Sequence, residues 1–275
     1  MTESSYAEKQ PTVFWQDTIL RHKDSLDDAG IAVLRRQEKN GRKITYEGLD
    51  NIPDNGGFIL AANHFVRMTD KTRALGRHKM EDLLASLGAL TDGVRRRHGE
   101  NTSVIWTPSR VPRPEAVFPK GSSVEDTLKW LAKGSPSMGV SNLSRSLFLS
   151  LYKNARDVVP IPYDAKEREQ FFSTMRSRLN EGDVLALFPE GEVSHALRRG
   201  KLGAAHIAIQ SRAPVVPVAQ YDLNGELMVR IGKPMQPPIE LTGARPFLND
   251  IMGAISKMLP PELRGFYGEP RKVAS

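Results

Sequence analysis

The run Gly57-Phe58-Ile59-Leu60-Ala61-Ala62 is apolar from end to end and breaks off on Asn63-His64. It is too short for a helix of ordinary length, and the turn signal Pro53-Asp54-Asn55-Gly56-Gly57 precedes it, so it reads as a buried strand over residues 58–62. A polar pair at the end of a buried strand is what α/β folds use for chemistry, because strand ends deliver side chains rigidly to a crevice.

The rest of the chain supports that class. Further strands are expected at residues 43–46, 103–106, 158–161, 184–188, 215–220 and 227–231, from short apolar runs bounded by turn residues. Helical spacing appears at residues 80–90, 124–132, 143–154, 167–180, 203–211 and 247–258. Alternating elements predict an α/β architecture: a mixed, largely parallel central sheet flanked by helices, with an N-terminal helical segment and a Pro-rich insertion. The domain division expected is an amphipathic helical segment over residues 1–40 and a main domain over 41–275. Between 107 and 142 the prolines Pro108, Pro112, Pro114, Pro119 and Pro136 interrupt the alternation, as an excursion or lid would.

From Phe14 to Arg36 the apolar residues Trp15, Ile19, Leu26, Ile31 and Leu34 recur at helical spacing among charged ones. This segment either packs on the core or lies on a membrane with Arg21, Lys23, Arg35 and Arg36 on its wet side, and both can hold together. The net charge of +7 favours an anionic partner. A membrane surface fits that charge better than nucleic acid, since the basic run Arg95-Arg96-Arg97-His98 has no aromatic residue within it. With no cysteine there is neither a disulfide framework nor a thiolate nucleophile, and no apolar run approaches the roughly 20 residues of a spanning helix. A cytoplasmic location, peripheral on the inner face of the membrane, is the expectation.

Two constellations can carry chemistry. The first is Asn63-His64 with Asp70 downstream. A histidine that takes a proton from a hydroxyl benefits from a carboxylate on its other ring nitrogen, which fixes the tautomer and stabilises the imidazolium. The bland alternative is a histidine capping a turn. The second is Phe188-Pro189-Glu190-Gly191, where an apolar strand breaks into an acid and a glycine, followed by Ser194. Glu190 there can accept hydrogen bonds from a polyol, or simply cap a strand-to-helix turn; Gly191 permits a tight turn or the close approach of a ligand. Downstream, Arg198, Arg199 and Lys201 lead into a helix start at Gly203, a setting suited to an anion.

In this order the two motifs resemble the glycerolipid acyltransferase superfamily, of the 1-acylglycerol-3-phosphate or lysophospholipid acyltransferase type. The lead-in Tyr46-Glu47-Gly48-Leu49-Asp50-Asn51-Ile52-Pro53 with Gly57 to His64 is similar to its first block, and Phe188-Pro189-Glu190-Gly191 to its third. Lys201-Leu202-Gly203-Ala204-Ala205 and Ala213-Pro214-Val215-Val216-Pro217-Val218 resemble its continuation, so the likeness covers residues 43–70 and 144–235. The resemblance implies His64 as general base and Asp70 as its orienting partner. It implies Glu190 and Gly191 as acceptor-binding residues, with Asn63, Ser194, Arg198, Arg199 and Lys201 as further substrate-binding candidates. Acyl-CoA or acyl carrier protein would be the co-substrate and a lysophospholipid or related lipid the acceptor, with no cofactor, no metal and no covalent acyl-enzyme.

The chain departs from the family pattern in three places. Five residues separate His64 from Asp70, where the family has four, and Val66 replaces the family's serine. Val193 stands where the third block often carries arginine, and the second-block stretch Val158 to Asp164 carries none. Either the acceptor lacks a terminal phosphate or Arg198, Arg199 or Lys201 takes over. The gap from His64 to Glu190 is also wider than usual, by about the length of the Pro-rich excursion.

Other motifs are weaker. Glu192-Val193-Ser194-His195 has a Glu-x-x-His spacing without a second copy, and the segment around Ser137 and Gly139 misses a hydrolase elbow because residue 135 is Ser. His206 reads as a packed helix residue; His22, His78 and His98 are expected at the surface.

Overall fold

The structure, a computed structural model, describes residues 21–22, 24–64, 80–107, 156–159, 161, 165–191 and 194–268. Among the described residues six strands form one sheet: β1 (Ile44–Glu47), β2 (Phe58–Ala62), β3 (Val104–Trp106), β4 (Val184–Leu187), β5 (Val215–Leu223) and β6 (Glu226–Ile231). Their order is β1-β6-β5-β2-β4-β3. The four strands β5, β2, β4 and β3 run parallel, whereas β6 returns antiparallel to β5 and β1 lies parallel to β6. The sheet is therefore mixed and mostly parallel, flanked by helices, as the alternation of elements predicts.

The helices are α1 (Leu26–Lys39), α2 (Met80–His98), α3 (Ala165–Asn180), α4 (Gly203–Ser211) and α5 (Ala244–Met258). Helix α1 packs on α2, α3 on α4, and α5 on both α4 and β5. From Asp82 to Val94 every residue of α2 is buried. Most of its residues there are apolar or small, which favours cover all round, and its two acids are paired, Asp82 with Arg42 at 3.1 Å and Asp92 with Arg35 and Arg96. Gln220 of β5 reaches α2, donating from its side-chain amide to the Ser86 carbonyl at 2.9 Å and accepting from the Ser86 hydroxyl at 2.6 Å. The helix runs on to His98, past the expected end at Leu90, because its basic last turn is neutralised within the fold. Arg95 pairs with Asp28 at 3.2 Å, Arg96 with Asp92 at 2.8 Å, and Arg97 with Asp54. Arg96 also lies over the Tyr46 ring, 5.0 Å from its centre.

Two expectations are corrected. Residues 158–161 were expected to form a strand, but Val158 makes only an isolated bridge to Trp106. Proline at 160 and 162 has no N–H with which to extend a ladder. His22 and His98 are half-buried instead of exposed, His98 with its ring 5.7 Å from that of Phe58. His206 is a partly covered helix residue as expected, its pKa lowered by burial and then by Arg245. The helices expected at 124–132 and 143–154, the 107–142 excursion beyond Thr107, and Trp15, Ile19, Lys23 and His78 lie outside the described residues, as do Glu192 and the Ser137 segment. Among the described residues no helix is long and apolar enough to cross a membrane.

The described part of the N-terminal segment is built into the core. Leu26, Ala29, Val33 and Leu34 of α1 are fully buried. The helix starts at Ser25, whose hydroxyl accepts from the Asp28 amide, while the buried Asp157 carboxylate accepts from the Leu26 and Asp27 amides at 2.9 and 2.8 Å. Asp27, 1% exposed, gathers α2 and β3. It accepts from the Val104 amide at 2.7 Å, the Trp106 indole N–H at 2.8 Å and the Thr91 hydroxyl at 2.7 Å.

Burial pushes the Asp27 carboxyl up from 3.8 to about 6; the three donors oppose the shift and neighbouring Asp157 adds to it. The folded state thus binds the proton more tightly than the unfolded chain. The resulting stability is present below the unfolded pKa and lost as pH rises through about 6. From pH 4 to pH 7 the native chain should therefore lose about 2 kcal/mol of stability relative to Asp27→Asn. Melting midpoints of both chains across that range check this, and a difference independent of pH would contradict it.

Candidate active site

The site is made by three adjacent strand ends. His64 follows β2, Phe188 and Glu190 follow β4, and Trp106 closes β3. Because β2 pairs with β4 and β4 with β3, all in parallel, these residues emerge side by side. The rings form a column: His64 stacks on Phe188 with centres 4.2 Å apart and planes 26° from parallel, and Phe188 stacks on Trp106 at 5.9 Å. Trp106 is itself fixed by its bond to Asp27.

Glu190 sits behind His64. One carboxylate oxygen accepts from the His64 main-chain amide at 2.8 Å and the other from the Arg198 main-chain amide at 2.7 Å. The Ser194 hydroxyl lies 3.5 Å from the second oxygen. Glu190 is 2% exposed, and burial raises its pKa, opposed by the hydrogen bonds from Arg198, His64 and Ser194. Gly191 has φ of 66°, and its amide returns to the Phe188 carbonyl at 3.0 Å, so the chain turns back sharply after the glutamate. That left-handed backbone is the tight turn expected of a glycine here.

Asn63 is anchored to β5. Its side chain donates to the Gln220 carbonyl at 2.9 Å and accepts from the Gln220 amide at 2.7 Å, extending the β2–β5 ladder by side chain after the strand has ended. Gln220 in turn is held by Ser86 of α2, so the backbone entering His64 is tied to the sheet and to a buried helix.

Beyond Glu190 the segment carrying Ser194, Arg198, Arg199 and Lys201 is strapped down through its main chain. The Lys201 amide donates to the Pro189 carbonyl and the Leu197 amide to the Leu263 carbonyl, both at 2.8 Å. The three cationic side chains themselves are exposed. Arg199 lies over the Phe266 ring at 5.9 Å.

Of the residues singled out from the sequence, the structure brings together His64, Asn63, Glu190, Gly191 and Ser194, with Arg198 joined through its backbone. Asp70 lies outside the described residues. The ring column and the Gln220–Ser86 anchor are additions. Phe188 stands in the recognised motif, but nothing local marks Trp106 as its neighbour, since that pairing comes from the β3–β4 register. Among the described residues no group of three or more His, Asp or Glu could hold a metal ion.

A half-buried imidazole pinned by its backbone at a strand end, with one face covered by a ring, is a side chain that can take a proton from a hydroxyl. Residues 114–221 match the family model described as Acyltransferase. Over those residues the chain is similar to acyltransferases. The matched stretch contains Glu190 and the segment after it and begins beyond His64. No curated protein matches the chain. A similar solved structure is the 1-acyl-sn-glycerophosphate (LPA) acyltransferase PlsC from Thermotoga maritima, with 17% sequence identity and a TM-score of 0.42, covering 86% of this chain and 85% of that one.

Proposed function

We propose that this acyltransferase moves a fatty acyl group from acyl-CoA or acyl carrier protein to a hydroxyl of a lysophospholipid or glycerol-phosphate-like acceptor, with His64 as general base. The observation that carries the reading is the bond between two motifs 126 residues apart: the amide of His64 donates to the carboxylate of Glu190. Two segments that separately suggest acyl transfer thus make one site. The neutral imidazole takes the acceptor hydroxyl's proton as the oxygen attacks the thioester carbonyl. The tetrahedral intermediate then collapses, the C–S bond breaks, and the imidazolium returns its proton to the departing thiolate. Products are the ester and free thiol.

Asp70 is the proposed orienting carboxylate. Ser194, Arg198, Arg199 and Lys201 are proposed to face the acceptor's polar head, with the cations drawing the protein to an anionic membrane surface at the inner face. An acceptor without phosphate is the second reading, favoured by Val193 standing where the family pattern has arginine.

Incubating the protein with a long-chain acyl-CoA and either lysophosphatidic acid or an uncharged lysolipid, and following thiol release, tests both readings. Release that depends on lysophosphatidic acid supports the first and release with the uncharged lipid the second. Absence of release with either, and with acyl carrier protein as donor, would refute acyl transfer to lipid.

A further inference from the structure

We infer that Glu190 serves the reaction as a positioning residue, holding His64 through its main chain, and does not bind the acceptor. The inference rests on the reading of His64 as base. Both carboxylate oxygens are already committed to main-chain donors, to His64 at 2.8 Å and to Arg198 at 2.7 Å. The residue is 2% exposed, so a substrate hydroxyl has almost no surface through which to approach either oxygen.

A carboxylate is costly to bury, and a buried charge is retained where strong donors offset its desolvation. Here the donors are peptide groups of two separate loops, one after β2 and one after β4, so the glutamate fixes those loops relative to one another. The same tetrapeptide acts on the base a second time, because Phe188 covers one face of the His64 ring with centres 4.2 Å apart. Backbone and ring together set the direction of the imidazole. Asn63 completes the mould from the other side through its paired bonds with Gln220. Misplacing a catalytic group by about 1 Å costs on the order of a hundredfold in rate.

The test is Glu190→Gln, which keeps the shape but turns an NH2 group towards one of the two amide donors. We expect kcat to fall about a hundredfold, while KM for the acceptor stays within about threefold. The titration of the His64 imidazole, followed by NMR in the absence of substrate, should shift as well. An acceptor-binding glutamate gives the opposite split: KM rises about tenfold or more and the imidazole titration is unmoved. That result, or an unchanged kcat, would overturn the inference. Should the glutamine chain melt below the assay temperature, Glu190→Asp is read by the same split, since it keeps the charge and draws both oxygens back by one methylene. Failure of the inference is separable from failure of the proposed function, because the latter leaves the native chain itself without thiol release.

Discussion

Substituting His64 with alanine should lower acyl transfer about a thousandfold or more while the protein melts within a few degrees of the native chain. The two halves of this expectation have separate causes. The rate falls because the imidazole is the proposed acceptor of the hydroxyl proton, and alanine has nothing to replace it. The fold survives because Glu190 grips residue 64 by its main-chain amide, which alanine retains. The loss includes the stack of a half-buried side chain on Phe188, worth about 1 kcal/mol. Thiol release and thermal melting measured on the same preparation check both halves, and an unchanged rate would remove His64 from the chemistry.

The largest stability effect is expected where α1 crosses α2. A Cβ on Gly88 would lie 2.2 Å from the Gly30 carbonyl oxygen and 2.3 Å from its carbon, both backbone atoms that no rotamer change can move aside. A Cβ on Gly30 would meet the Gly88 nitrogen at 2.8 Å. Gly88→Val therefore forces the helices apart, and they are also joined by Thr91 to Asp27 at 2.7 Å and Arg95 to Asp28 at 3.2 Å. A cost of about 4 kcal/mol is expected, lowering the melting midpoint by about 10 °C. A valine chain with native melting would show that the crossing is looser than described. The effect should reach the site, because α2 carries Ser86 and thereby holds Gln220 and Asn63.

Much of the framework is legible in the residues. The bounds of β2 and α4, Phe58–Ala62 and Gly203–Ser211, follow from apolar runs that stop on Asn63 and beside Arg212. Other boundaries shift where the competing influence is tertiary. Helix α2 continues to His98 with its basic turn neutralised by Asp28 and Asp54 from distant segments and by its own Asp92. The strand expected after Val158 fails because proline has no N–H to give. The basic run at residues 95–98, which charge alone would assign to a partner, is largely spent on Asp28, Asp92 and Asp54 within the fold.

The sequence by itself determined that His64 and Glu190 stand at the ends of buried strands. Each ending is local: an apolar run gives way to a polar residue, and strand geometry does the rest. Only the tertiary structure decided that β2 and β4 are neighbours, so that 126 residues of separation become one 2.8 Å hydrogen bond. It also decided that Glu190 spends both oxygens on peptide groups and that Trp106, Phe188 and His64 share a column. The physical reason is that strand order and register come from burying whole faces at once and closing long loops, and no window of sequence contains those terms.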